Sequence, residues 1–142
     1  MRHQFNKYVD SGGIVPLFEQ YEINPTSQRI EIAKILLSKL HHLSADQVFK
    51  KVNKDQTIAS KATVYNTLNL FAEKGLIRQV IVDPNKIFYD SNTLAHYHFY
   101  NEDSGHLTDF DADGVEISGM PELPDNTEKC GVDVIVRVRN KQ

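Results

Sequence analysis

The chain of 142 residues contains one cysteine, Cys130, and no tryptophan. A lone cysteine can form no intramolecular disulfide, and without further thiolates there is no cysteine-rich zinc site. Long apolar runs are also missing. No stretch approaches the ~20 residues that cross a bilayer, and the opening MRHQFNKYVD lacks the apolar core of a secretory signal. A cytoplasmic protein with no membrane partner is therefore expected. The length allows one domain or two small ones and excludes a large multidomain enzyme.

Excess charge is also small: 16 Lys+Arg against 19 Asp+Glu leave −3. The distribution is uneven, however. Residues 1–90 hold 12 basic and 9 acidic groups, whereas residues 91–142 hold 4 and 10. Between Thr26 and Val82 the balance is 9 to 4. Such asymmetry suits a chain of which one part meets a polyanion, although an ordinary solvated surface fits the imbalance about as well.

The pattern of elements adds direction. Residues 14–23 (IVPLFEQYEI) predict a short helix, with Pro16 tolerated near its first turn. Thr26 can cap a second helix on which Ile30, Ala33, Leu37 and Leu40 recur at helical spacing. Ser44-Ala45-Asp46-Gln47 has capping-box form and opens a third, short helix through Val48, Phe49 and Val52. Ser60 caps a fourth that ends at Gly75. On this helix Val64, Thr67, Leu68 and Phe71 share one side, while Lys61, Ala62, Tyr65, Asn66 and Asn69 share the other. A cation, amides and an aromatic hydroxyl separated by small residues suit close approach to base edges in a major groove. A polar face turned to solvent is the ordinary alternative.

Two β-rich segments, residues 76–82 and 86–89, flank the turn Asp83-Pro84-Asn85 and predict a hairpin. Three helices followed by a hairpin make a winged helix, in which the hairpin tip can touch phosphates or the minor groove. Beyond it, residues 96–100 and 107–110 are short strand candidates around Asp103-Ser104-Gly105. Val132, Val134, Val136 and Val138 alternate with Asp133, Ile135, Arg137 and Arg139, which predicts a strand with one face buried. The segment 114–127, with Gly119, Pro121 and Pro124, reads mostly as loop. A β-rich unit of this size is too small for its own core and is expected to complete one by pairing with a second copy.

Asp90, His96, His98 and Asp109 gather at the start of this second part. Histidines two apart on a strand share a face and can hold one ion together. Imidazoles and carboxylates without thiolates suit Fe²⁺, Mn²⁺ or Zn²⁺. A His-x-His pair satisfied by hydrogen bonds alone is the competing reading. His41 is expected to be a solvated neighbour, His106 an exposed residue after a turn, His3 part of a tail, and Cys130 a small, partly buried residue.

The run Ser60-Lys61-Ala62-Thr63-Val64-Tyr65-Asn66-Thr67-Leu68, with Pro25-Thr26-Ser27-Gln28-Arg29 and His42-Leu43-Ser44-Ala45-Asp46 before it, resembles the ferric uptake regulator superfamily of bacterial metal-responsive transcription factors. Ala62–Leu70 (ATVYNTLNL), Leu76–Val80 (LIRQV) and Val132–Arg139 (VDVIVRVR) look most like its iron response regulator branch. The resemblance implies an α+β chain: an N-terminal winged helix-turn-helix over residues 1–88, joined by a hinge to a small α/β dimerisation and sensing domain over 89–142. It implies a homodimer, with a higher oligomer left open, that binds inverted repeats in double-stranded promoter DNA. Tyr65 then contacts bases and Arg29 the DNA backbone, with Lys61, Ala62, Thr63 and Asn66 completing the DNA-facing set. The regulatory metal site falls on His42, Asp90, His96, His98 and Asp109, so that ion occupancy sets the relation of the two halves and hence DNA affinity.

The departures from the family pattern narrow this. The first of the superfamily's two Cys-x-x-Cys pairs is replaced by Asn101 and Ser104, and Cys130 stands alone, so no structural zinc held by four cysteines is expected. Ala95 and Tyr97 replace ligands of a second sensory site. His96-Tyr97-His98 stands where the iron response branch commonly has three histidines linked to haem, which leaves haem at His96 and His98 an open reading. The three-His, two-Asp set is also similar to that of the peroxide-sensing branch, in which bound Fe²⁺ promotes oxidation of its own histidines. A metallo-hydrolase or oxygenase would need a general base apart from the ligands, and none is found. The chain is therefore read as a regulator of transcription, a repressor, and not as an enzyme.

Overall fold

The computed structural model describes residues 13–39 and 41–142, so the expectations for His3 and Leu40 fall outside the described residues. By its contacts the chain divides into a first unit that ends at Leu94 and a second from Ala95 to Gln142, later than the 88/89 boundary read from the sequence. Among the described residues no helix is long and apolar enough to cross a membrane.

In the first unit, α1 spans Ile14–Gln20, with Pro16 in the first turn, where no intrahelical donor is required. Helix α2, Ser27–Leu37, starts at Thr26, whose hydroxyl accepts from the amide of Arg29 at 3.2 Å. Its inward stripe is Ile32, Ala33, Leu36 and Leu37; Ile30, expected to face inward, is only half-buried. A short strand, β1 (His42–Ser44), leads directly into α3, Ala45–Val52. There Ser44 and Gln47 close a complete capping box, with bonds of 3.2 and 2.8 Å.

The side-chain amide of Asn53 then pins the connector. Its Oδ1 accepts from the amides of Ile58 and Ala59 at 2.7 and 3.0 Å. Helix α4, Lys61–Glu73, is capped by Ser60 and buries Val64, Thr67, Leu68 and Phe71, as its spacing predicts. Gly75 ends it at φ +84°, a left-handed conformation that glycine adopts without Cβ strain.

Strands β2 (Arg78–Asp83) and β3 (Lys86–Asp90) form the predicted hairpin. They join β1 in an antiparallel sheet of order β1-β3-β2. The core beneath comprises Phe18, Leu36, Val48, Leu68, Phe71, Ile77 and Tyr89, with the Phe18 and Phe71 rings 5.5 Å apart. Three helices and a hairpin, preceded by α1, make this unit a winged helix-turn-helix.

In the second unit, β4 (His96–Asn101) lies between β5 (Leu107–Asp111), which is antiparallel to it, and β6 (Ile135–Val138), which is parallel. A single 3-10 turn, Ala112–Gly114, follows β5, and among the described residues this unit holds no α-helix. Gly119, Pro121 and Pro124 explain why the segment after the turn stays irregular. The valine tail departs from expectation: only Ile135–Val138 is strand, and Val132, Val136 and Val138 are 36%, 39% and 36% exposed. Cys130 is exposed rather than partly buried. With only Tyr100 and Leu107 as buried apolar side chains, the unit has almost no core of its own.

Candidate metal centre and nucleic-acid interface

The antiparallel register of β4 and β5 sets His98 opposite Asp109. Because His96 lies two residues before His98, both imidazoles leave the same face of β4. Oδ1 of Asp109 is 3.3 Å from Nε2 of His98 and 3.7 Å from Nε2 of His96. The two rings meet edge to face with centroids 4.6 Å apart. Both histidines are buried, at 5% and 1% exposure, while Asp109 reaches solvent. One donor atom from each of the three lies within 4.8 Å of the others. Two imidazole nitrogens and a carboxylate converging in this way fit Fe²⁺, Mn²⁺ or Zn²⁺, and among the described residues no thiolate joins them.

The other two expected ligands belong to the first unit. Asp90 ends β3, is fully buried, and accepts from the amide of Asn92 at 2.9 Å. Across the sheet its register partners are His42 on β1 and Arg78 on β2. His42 is half-buried, and its ring stands edge-on to Phe88 with centroids 6.1 Å apart. The structure thus brings His42 and Asp90 together as strand partners in one unit and groups His96, His98 and Asp109 in the other.

On α4, Lys61, Ala62, Tyr65 and Asn66 are all exposed, with Tyr65 at 40%. Nζ of Lys61 lies 3.3 Å from Oδ1 of Asp46 at the start of α3. Thr63 is half-buried, and its hydroxyl accepts from Oγ of Ser60 at 3.0 Å, which draws it toward the cap. Arg29 donates from Nη1 to the carbonyl of Asn24 at 2.9 Å. Asn69, grouped with the outward stripe in the sequence, is exposed as expected and is also engaged with the sheet. Its Oδ1 accepts from the hydroxyl of Tyr89 at 2.8 Å and from Nε2 of Gln79 at 3.2 Å.

Two residues matter more than the sequence suggests. Ser91 is 1% exposed; its Oγ accepts from the amide of His41 at 3.1 Å and donates to the carbonyl of Lys39 at 3.0 Å. His41 is half-buried rather than solvated, with ring Nε2 2.9 Å from the carbonyl of Ile35. Burial holds its pKa below the usual histidine value, and the bond to Ile35 opposes that shift. No motif marks either residue: Ser91 bonds backbone groups about fifty positions earlier, and the ring of His41 bonds the carbonyl of Ile35 in the last turn of α2. His106 is exposed, as expected.

The model of the ferric uptake regulator family matches residues 20–125. The peroxide-responsive repressor PerR of Staphylococcus aureus strain Mu50 is 33% identical over 91 residues, which make up 64% of this chain and 62% of the repressor. The match thus spans less than two thirds of that relative's length. Among solved structures, the ferric uptake regulator of Francisella tularensis with iron superposes with a TM-score of 0.69 at 24% identity, covering 84% of this chain and 92% of that one. That of Pseudomonas aeruginosa with manganese gives a TM-score of 0.67 at 22% identity, covering 89% and 97%. At these identities the superpositions speak to the fold, and they agree with an α+β chain led by a winged helix. With the family model matching most of its length, the chain belongs to the ferric uptake regulator family.

Proposed function

We propose that the chain is a divalent-metal-responsive, DNA-binding regulator of transcription, a repressor that acts as a homodimer on an inverted repeat in promoter DNA. The observation that carries this reading is the exposed face of α4, with Lys61, Ala62, Tyr65 and Asn66 presented beside the β2–β3 hairpin. The buried side of the same helix, Val64, Thr67, Leu68 and Phe71, packs it on the core and leaves the other side free to meet a groove. The segment from Thr26 to Val82 is the basic part of an otherwise acidic chain, which supplies the electrostatic footprint.

His96, His98 and Asp109 are the proposed core of the sensory site, with Asp90 and His42 as its donors from the first unit. Oδ1 of Asp109 faces Nε2 of both histidines, so one carboxylate oxygen and two imidazole nitrogens can converge on a single ion. When bound, a divalent ion supplies the positive charge that draws such donors together. Donors contributed by both units then link occupancy to DNA affinity. Haem at His96 and His98 is disfavoured, since the two rings are buried against each other and axial ligation would have to part them. The second copy is supported by the near-absent core of the second unit and by exposed Phe99, Met120, Leu123, Val136 and Val138.

A second reading, regulation by peroxide through the same site, is favoured by the 33% identity to a peroxide-responsive repressor. One experiment addresses both. A duplex is selected from a randomised pool by the Mn²⁺-loaded protein and titrated by fluorescence anisotropy, with and without Mn²⁺, and again after Fe²⁺ and hydrogen peroxide. The metal-responsive reading requires that Mn²⁺ change the affinity and that Tyr65→Ala weaken specific binding while leaving the circular dichroism spectrum intact. Equal binding by Tyr65→Ala would remove the recognition-helix assignment. Loss of binding after peroxide, with an oxygen added to the His96–His98 peptide, would select the peroxide reading.

A further inference from the structure

Two rows of side chains cross the first sheet. Leu43, Tyr89 and Gln79 stand in register as one row, and His42, Asp90 and Arg78 as the next. Register partners share a face and successive residues of a strand leave opposite faces, so Tyr89 and Asp90 project to opposite sides of β3. The side of Tyr89 is the helical one. Leu43 and Tyr89 both belong to the core that α2, α3 and α4 line, and the Tyr89 hydroxyl donates to Oδ1 of Asn69 on α4 at 2.8 Å. Gln79, its neighbour on β2, donates to the same oxygen at 3.2 Å. A single amide oxygen of α4 therefore receives bonds from both strands of the hairpin. Asn69 lies one helical turn beyond Tyr65, on the same face of α4.

We propose that Tyr89, Gln79 and Asn69 form a relay that passes the state of the Asp90 side of the sheet to the reading face of α4. This deepens the proposed function and rests on its assignment of Asp90 to the metal site and of α4 to DNA. Asp90 and Tyr89 share a peptide unit, so β3 cannot shift or twist at one without carrying the other. Packing alone would transmit such a shift diffusely, because apolar contacts have no preferred direction. Two hydrogen bonds to one oxygen are directional, and they tie the helix to the strand at one point along its axis. Tyr89 is thus a positioning residue. It sets the angle at which Tyr65 and Asn66 meet the groove and touches neither ion nor base.

The test uses the full chain and the selected duplex in Tyr89→Phe, which keeps the ring in the core and removes only the hydroxyl. The quantity read is the ratio of duplex Kd without Mn²⁺ to that with saturating Mn²⁺, together with Mn²⁺ stoichiometry by calorimetry. The relay predicts that this ratio falls by about threefold to tenfold, the worth of one hydrogen bond, while Mn²⁺ stoichiometry stays unchanged. Asn69→Asp keeps an acceptor for both donors. Its added charge weakens DNA binding in both states equally, so its ratio should match wild type, whereas Asn69→Leu should lose it. A Tyr89→Phe ratio equal to wild type overturns the relay, as does equal weakening with and without Mn²⁺, the mark of a merely structural hydroxyl. A wild-type ratio of one would instead remove the metal-responsive reading, and the relay with it.

Discussion

Lys61, the first residue of α4, holds its Nζ 3.3 Å from Oδ1 of Asp46 in the first turn of α3, and both side chains are mostly exposed, at 60% and 58%. On the helix proposed to read DNA, the first cation is therefore already paired with an acid. In water such an exposed pair contributes about 0–1 kcal/mol, so its value to the fold is slight. On the proposed DNA-binding reading its effect on affinity is larger, because Asp46 adds a negative charge at the face assigned to a polyanion.

Replacement Asp46→Asn should therefore raise affinity for the selected duplex by about twofold to fivefold at low salt and less as salt screens the interaction. Stability should fall by about 1 kcal/mol or less, since the variant also loses a carboxylate near the N-terminus of α3. Anisotropy titrations at several salt concentrations, with urea unfolding alongside, measure both. Unchanged affinity would place the Lys61 end of α4 away from the DNA.

Much of the first unit was legible because its signals are local. The capping box at Ser44 and Gln47, the cap at Ser60 and the buried stripe of Val64, Thr67, Leu68 and Phe71 each rest on residues within one or two turns of each other. The His-x-His pair and Asp109 were legible for the same reason, since a strand, a turn and a return strand bring them together. What escaped reading depends on distant partners. Strand β1 is three residues long and exists only because β3 pairs with it. Asn69 faces outward by helical period, yet sequence cannot show that Tyr89, twenty residues on, will claim its oxygen. The alternating valines near the end predict a buried face, but among the described residues Val136 and Val138 stay 39% and 36% exposed.

Asn101 occupies a position where the family resemblance implies a zinc-binding cysteine, and it organises the β4–β5 turn with its amide instead. Its Oδ1 accepts from the amides of Asp103 and Ser104 at 2.8 and 3.1 Å, and its Nδ2 donates to Oδ1 of Asn140 at 2.9 Å. Asn140 in turn donates its amide to Oδ2 of Asp103 at 2.9 Å, which fastens the end of the chain beyond β6 to the turn. Asn101→Ala removes three of these bonds from a partly exposed site and should destabilise the protein by about 1–2 kcal/mol in urea unfolding. Limited proteolysis should then cut first near the C-terminus. A variant as stable as wild type, with the same cleavage pattern, would show that the turn does not depend on Asn101.

His41 makes stability depend on pH in a definite direction. Burial lowers its pKa in the folded chain, and the contact between its ring and the carbonyl of Ile35 only partly opposes this. The unfolded chain binds the proton more readily, with an ordinary histidine pKa of about 6.5. The folded state is therefore favoured by the neutral ring. That contribution is present above the unfolded value and is lost as pH falls through the folded one. His41→Gln has no titrating ring and keeps a group able to donate to the Ile35 carbonyl. Between about pH 7 and pH 5 the wild type should lose more unfolding free energy than the variant does, as measured by urea denaturation at each pH. Equal losses would mean that the proton reaches His41 as easily in the folded chain as in the unfolded one, and that the ring between α2 and β1 is not held neutral.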